Sequence, residues 1–365
     1  MAEPVRVLVV GVGNMGASHA KAYHRNPGFE LVGLVSRSMG PSTKLPDEIA
    51  GYPRFNDFAT ALRETRPHAV SINTYPDTHA DLAIRAMDAG CHVFMEKPIA
   101  TTNADAERVV ARAKEKNRKL VLGYILRVHP AWTKFVELAQ GLGKPLVMRM
   151  NLNQQSSGPA WNWHKALMES LTPIVDCGVH YVDVMCQMTR ARPVRVHGIG
   201  AKLSAETKVQ NYGHLHVTFD DGSVGWYEAG WGPMMSEVAY FVKDVWGPKG
   251  AASIAYKPQE GQSEARADKV SDSADIDQHT KTNAIKLHHS EIDADNNFKR
   301  PDEWISTEDE PDHQELCERE QALFLDAILN DTDLTDSMAD AVNSLRIVLA
   351  AQQSIDEERA ITLQG

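Results

Sequence analysis

Apolar and polar positions in the first 123 residues keep switching between two periods. Residues 5–10 (Val-Arg-Val-Leu-Val-Val) are a β-rich apolar run closed by Gly11, residues 17–23 carry helical spacing, and 30–35 form a second apolar run. A strand, a helix and a strand in succession predict a βαβ unit, whose crossover makes a parallel sheet. The alternation continues with helices over 58–64, 81–89 and 104–116 and strands over 69–73, 92–95 and 120–123. Strands and helices alternating in this way predict a doubly wound α/β domain over residues 1–123.

The pattern changes after Tyr124. A helical stretch over 132–140 precedes a segment, Pro-Leu-Val-Met-Arg-Met-Asn-Leu-Asn-Gln, that alternates with period two, as a strand with one buried face does. A helix over 174–188 is followed by three strand regions beginning near 194, 212 and 237. The Asp-Asp-Gly-Ser run at 220–223 predicts a hairpin, because Asp-Gly accommodates the positive φ of a tight turn. Strands in direct succession predict an α+β domain with a large, mostly antiparallel open sheet over 124–340. Residues 257–300 are polar with little periodicity and read as a long loop or arm, or as disorder. Helical spacing returns from Asp312, and residues 341–365 are expected to form a C-terminal helix and tail packing back towards the first domain.

Composition narrows the function classes. The 365 residues are 42% hydrophobic and 24% charged with a net charge of −11, which is ordinary for a globular protein. The acidic balance disfavours a nucleic-acid groove, which needs clustered positive charge. No apolar run reaches the ~20 residues of a membrane span. The N-terminal residues enter a strand with no basic segment before it, unlike a signal peptide. The four cysteines (Cys91, Cys177, Cys186, Cys317) lack CxxC spacing, so reduced thiols in the cytoplasm are expected.

Gly11, Gly13 and Gly16, with Val12, Asn14 and Met15 between them, make a GxGxxG turn from strand to helix. The first glycine permits the tight turn, the second lets a pyrophosphate approach, and the third lets helix and strand pack closely. Backbone N–H groups and the positive end of the helix then face the phosphates. At the end of the second strand, Ser36 and Arg37 occupy the place where an NAD site usually carries a carboxylate for the ribose diol. A serine and a guanidinium suit a 2′-phosphate, which favours NADP, although Arg37 could equally stack on adenine in an NAD site.

Four separated motifs then combine: GxGxxG, Thr74-Tyr75-Pro76 with His79, Glu96-Lys97-Pro98, and Gly-Val-His-Tyr-Val-Asp at 178–183. In this order the chain resembles the glucose–fructose oxidoreductase / inositol dehydrogenase / MocA family over nearly its whole length. The resemblance implies a dinucleotide-binding Rossmann domain followed by an open-sheet domain. It also implies a dehydrogenase acting on a secondary hydroxyl of a sugar, polyol or sugar derivative with NAD or NADP. Lys97, Asp176 and His180 match the family's catalytic set. Asn73, Thr74, Tyr75, His79, Glu96 and Lys97 fall in its cofactor loops. Its relatives cover the open sheet with another subunit, so a homodimer or homotetramer is expected.

The chemistry also follows from the residue types. Removing hydride from carbon requires a base for the hydroxyl proton, and Lys97 lies at the carboxyl end of a parallel strand, where α/β sheets bind ligands. Asp176, His180 and Asp183 fall at i, i+4 and i+7 on the expected helix, and a carboxylate beside imidazole raises its basicity. Asp183 either orients His180 or supports local structure. Tyr124, Arg127, Trp163 and His164 are further candidates for substrate contact, with packing as the competing role for the Trp-rich segment 161–165. His214 and His216 share a strand face without a third ligand, and no metal is assigned. The Met234-Met235 pair, Trp226 and Trp231 read as core or subunit contacts.

One departure from the family lies at 170–173, where Ser-Leu-Thr-Pro replaces a glycine-rich stretch. This leaves open an NAD-dependent glycosidase that oxidises C3 transiently, eliminates the aglycone, adds water and reduces the sugar again. A non-catalytic nucleotide-binding regulator is the third possibility, since fold does not fix function.

Overall fold

The computed structural model describes residues 3–40, 42–235, 242–255, 280, 282, 284–306 and 310–363. The chain divides into two compact units, Met1–Val128 with Pro311–Val342, and His129–Glu310 with Asn343–Gly365. The first contains β1 (Val5–Val10), β2 (Phe29–Val35), β3 (Arg54–Phe55), β4 (Ala69–Ile72), β5 (His92–Met95) and β6 (Leu120–Leu122). They pair in parallel in the order β3-β2-β1-β4-β5-β6. The order reverses beside β1, so the carboxyl ends of β1 and β4 open the crevice where doubly wound sheets bind ligands.

The helices of this unit are α1 (Asn14–Arg25), α2 (Phe58–Thr65), α3 (His79–Asp88) and α4 (Asn103–Lys116). Local chemistry sets their limits. The side chains of Asp57 and Thr102 accept from the Thr60 and Asp105 amides at the starts of α2 and α4. Arg66 and Asn117 end them in the left-handed conformation. The β1, β4 and β5 side chains are buried almost throughout, as expected for strands covered on both faces.

In the second unit, α5 (Pro130–Gly141) precedes β7 (Val147–Gln155), α6 (Gly158–Leu167), α7 (Pro173–Asp176) and α8 (Gly178–Thr189). The strands that follow are β8 (Pro193–Ala201), β9 (Tyr212–Phe219), β10 (Val224–Gly232), β11 (Lys243–Gly247), β12 (Gly250–Ala255), β13 (Ala284–His289) and β14 (Glu303–Ser306). Met148, Met150 and Leu152 alternate inwards along β7, as do Leu215, Val217 and Phe219 along β9. Every residue of α8 except Gln187 is buried, so this helix runs through the core. Gly178 opens it because a Cβ there would come within 2.9 Å of Val348 Cγ1 and 3.3 Å of the Tyr227 ring. The expected hairpin joins β9 to β10 with Gly222 at φ 83°.

The chain closes with α9 (His313–Leu329), α10 (Thr335–Glu357) and β15 (Ile361–Thr362), which pairs with β8. The nine-stranded sheet runs β14-β13-β12-β11-β7-β10-β9-β8-β15 and is antiparallel except where β7 meets β10 in parallel. Reciprocal hydrogen bonds between Asp312 and Glu315 start α9. Phe324 of α9 lies 6.2 Å from the Phe29 ring and 6.1 Å from Phe94, in the core of the first unit.

Several expectations change here. Residues 311–342 group with the nucleotide fold and not with the open sheet, because the inner face of α9 packs on that core. Residues 343–365 group with the sheet, where β15 adds to its edge and the Ala351 carbonyl reaches Gly198. The segment 257–300 is not all loop: Ala284–His289 pairs with β12, while 256–279, 281 and 283 lie outside the described residues. Polar sequence on both sides hides this six-residue strand from the local pattern. The helix expected over 174–188 is divided at Cys177, which accepts a tighter bond from His180 N at 3.2 Å, so Asp176 closes α7 and His180 lies on α8. The segment α6 has no counterpart among the expected elements; of the strand region expected from 237, Lys243–Gly247 forms β11, while 237–241 lie outside the described residues.

Candidate functional site

The glycine turn is built by exclusion. Gly11 has φ 86°, and a Cβ there would stand 2.4 Å from the Asn73 carbonyl oxygen. At Gly16 it would stand 1.9 Å from the Gly11 carbonyl oxygen. These two glycines hold β1, α1 and the end of β4 together. Gly13 differs: no atom lies within 4 Å of its Cβ position, and it starts α1 without a side-chain cap or an acidic residue in the first turn. Asn14 and Met15 begin the helix there, so amide donors face open space, which fits a pyrophosphate.

The surrounding loops are held from behind. Asn73 Nδ2 donates to Ser71 Oγ at 3.0 Å, and the Thr74 and Thr78 hydroxyls lie 2.7 Å apart. Tyr75 is 64% exposed. His79 is fully buried, with Nδ1 2.8 Å from the Pro98 carbonyl and Nε2 3.0 Å from that of Thr74. Burial holds its pKa below the ordinary value. His79 therefore ties the Thr74 loop to the Pro98 loop and spends no ring nitrogen on the open crevice. The Lys97–Pro98 bond, left open by the sequence, is cis.

Glu96 is also buried. Its Oε1 is 2.7 Å from His19 Nε2, and its Oε2 accepts from the Lys97 amide at 3.2 Å. Burial alone would raise its pKa, but the His19 hydrogen bond and the charge of Lys97 bring it below the usual carboxylate value. Gly123 faces this carboxylate, and a Cβ there would come within 3.2 Å of it. Glu96 thus anchors the loop that carries Lys97. Ser36 Oγ lies 3.1 Å from Ser38 Oγ, while Arg37 is exposed and its guanidinium has no carboxylate partner among the described residues.

Tyr124 is buried, and Arg127 donates to Asp340 Oδ2 at 2.8 Å while lying 5.9 Å from the Tyr124 ring centre. In the second unit, Asp176 is half-buried and His180 buried. Asp183, buried beyond them, accepts from Gln187 Nε2 at 2.9 Å. His164 stacks on Trp231 at 4.5 Å with the rings 6° from parallel, and burial lowers its pKa to about 4 against the charge of Asp176. Trp163 beside it is 54% exposed. Tyr227, beneath α8, stacks on Tyr181 at 5.1 Å, and burial pushes its phenol well up.

Comparison with known proteins decides the family. A model described as an oxidoreductase family with an NAD-binding Rossmann fold matches residues 5–124, and the GFO/IDH/MocA C-terminal domain matches 138–252. The chain belongs to the GFO/IDH/MocA oxidoreductase family. It is 27% identical over 237 residues to scyllo-inositol 2-dehydrogenase (NAD(+)) of Bacillus subtilis, covering 63% of this chain and 68% of that protein. It is 29% identical over 220 residues to UDP-N-acetylglucosamine 3-dehydrogenase of Acidithiobacillus ferrooxidans, covering 60% of this chain and 65% of the relative. The fold matches scyllo-inositol dehydrogenase of Lactobacillus casei, solved with NAD(H) and scyllo-inositol. That match has a TM-score of 0.72 at 20% identity over 99% of both chains.

Membership in the GFO/IDH/MocA family gives the glycine turn its ligand, an NAD-type dinucleotide, and the open space at Gly13 fits that group. Other side chains were not legible in advance. His19 and its bond to Glu96, Asp340 beneath Arg127, and the stacking of His164 on Trp231 have no motif to reveal them. The only sequence signal was a polar residue on the inner face of an amphipathic helix. His214 and His216 do share a face, with ring centres 5.8 Å apart and His197 paired opposite His216. No helix among the described residues is long and apolar enough to cross a membrane.

Proposed function

We propose that the chain transfers hydride between a secondary hydroxyl of a sugar, polyol or sugar derivative and NAD(P). The observation that carries this reading is the presence of His180, buried with Asp176 one turn before it, in a family member whose relatives oxidise such hydroxyls. Bound nicotinamide supplies the hydride acceptor. Lys97 orients the reacting hydroxyl through its ammonium group, Asp176 orients the alcohol and imidazole, and His180 takes the hydroxyl proton. Trp163 offers an exposed ring face for stacking on a sugar, with His164 beside it. Gly11, Gly13, Asn14 and Met15 receive the pyrophosphate, and Asn73, Thr74 and Tyr75 border it. Ser36 and the exposed Arg37 favour the 2′-phosphate of NADP.

The test is a paired assay with NAD or NADP against polyols, free sugars and glycosides, recording reduced nicotinamide and released aglycone together. Reduced cofactor accumulating in step with substrate loss is expected. Aglycone release with catalytic cofactor and no net reduction would replace the dehydrogenase with a redox-assisted glycosidase. Specific nucleotide binding without turnover of any substrate would favour a regulator.

Two further parts of the reading rest on surface and thiols. The sheet carries exposed Ile199, Val224 and Trp246, apolar area that suits contact with a second copy of the chain. A homodimer or homotetramer by sedimentation, reduced to monomer by Trp246→Glu with Ile199→Glu, is the expected outcome. All four cysteines are buried and none is in a disulfide, which suits the reducing cytoplasm.

A further inference from the structure

We propose that His19, Cys317 and Glu320 form a buried binding site for one Zn2+-class divalent cation, inside the nucleotide-binding unit. His19 lies on the inner face of α1, while Cys317, Glu320 and Gln321 fall at i, i+3 and i+4 on one face of α9. One ligand atom from each of His19, Cys317 and Glu320 lies within 4.8 Å of the others, and all three residues are buried. Tetrahedral Zn2+ with bonds of about 2.0–2.3 Å separates its ligands by roughly 3.3–3.6 Å, so side-chain motion of about 1 Å closes the set.

The histidine is already oriented. Ionised Glu96 accepts from His19 Nε2 at 2.7 Å, which leaves Nδ1 as the lone-pair nitrogen, and Nδ1 faces Gln321 Nε2 at 2.9 Å. A carboxylate behind a ligating imidazole is the usual support of a zinc site. A second observation concerns oxygen. Glu320 Oε1 and Gln321 Oε1 are buried there without hydrogen-bond partners among the described residues. Glu320 is 2% exposed. Leaving such groups unpaired in the interior is unfavourable.

A cation satisfies them. Nδ1 of His19, Sγ of Cys317 and a carboxylate oxygen of Glu320 supply three bonds, and rotation of the Gln321 amide brings its oxygen in as the fourth. The thiol and the neutral carboxyl each lose one proton to solvent, and the metal sheds its water ligands. The two negative ligands balance the +2 ion without electron transfer. Thiolate with imidazole selects Zn2+ or Co2+ over Mg2+ or Ca2+. The sequence had given no metal, because His19 and Cys317 are nearly 300 residues apart and no short ligand spacing joins them.

The experiment uses the untagged full chain, reduced, loaded with Zn2+ and freed of excess by gel filtration, with metal measured by mass spectrometry. About one equivalent is expected, and Co2+ in its place should give a sulfur-to-cobalt charge-transfer band. Cys317→Ser and Glu320→Gln should each weaken binding at least ~10-fold, while Cys91→Ser leaves it unchanged. Should Cys317→Ser fail to fold, Glu320→Gln and the cobalt band of the unaltered chain still decide. Less than about a tenth of an equivalent on the loaded chain overturns the proposal, as does undiminished binding in both ligand variants. Neither readout involves nucleotide or substrate, so the result is separate from that of the dehydrogenase reading.

Discussion

The glycine turn and the α8 region present different kinds of group. At the turn, main-chain amides do the work, and the side chains matter by being absent at Gly11, Gly13 and Gly16. At α8 the main chain is closed within the helix, and the chemistry proposed there belongs to the side chains of His180 and, just before the helix, Asp176. A backbone site tolerates changes around it provided no atom intrudes. A side-chain site fails when one group is removed.

The sharpest trial of that difference is His180→Ala. It should lower turnover by about 10²–10⁴-fold with the dissociation constant for nucleotide unchanged, measured by steady-state kinetics and by titration of the cofactor. Near-normal turnover would remove the histidine from the reaction. The turn should behave in the opposite manner. Gly16→Ala forces a Cβ against the Gly11 carbonyl and should cost ~1–3 kcal/mol or more in urea unfolding. Gly13→Ala meets no atom within 4 Å, so stability should hold within ~0.5 kcal/mol. Nucleotide affinity should nevertheless fall at least ~10-fold, or ~1.4 kcal/mol.

His164 extends the comparison to pH. Burial lowers its pKa from 6.5 to about 4 in the folded chain. Between those values the unfolded chain binds a proton that the folded chain does not, so stability is fully present above pH 6.5 and falls as the pH drops towards 4. The full shift corresponds to ~3 kcal/mol. His164→Gln should flatten the dependence of the urea midpoint on pH across this window. The smallest effect is expected from Arg37→Ala, which should shift the preference between NADP and NAD by ~10-fold towards NAD. An unchanged ratio of kcat/KM values would assign Arg37 no part in reading the 2′-phosphate.

The doubly wound sheet could be read from sequence because β1, β4 and β5 are buried on both faces and appear as continuous apolar runs. The glycine turn was legible for a related reason, since its geometry admits few residues. The hairpin at Gly222 was legible as well. By contrast, β13 carries Lys286, His288 and His289 and looks like loop until β12 is seen beside it. Lys97 and His180 stand in motifs visible in the sequence, whereas the anchoring of Lys97 through Glu96 and His19 depends on a tertiary contact. Domain limits were obscured for a similar reason: nothing in the local pattern of α9 says which core its Phe324 enters.

That last contact sets an order of events during synthesis. A ribosome releases the six strands of the nucleotide sheet long before it makes Phe324, and between them comes almost the whole open-sheet unit. Until α9 emerges, Phe29 and Phe94 lack the aromatic partner that closes their core. Nascent chains generally complete their first domain first. Here the first fold to begin is among the last to finish, and a fragment ending at Val128 should remain sticky and poorly soluble until the helix His313–Leu329 is supplied in trans.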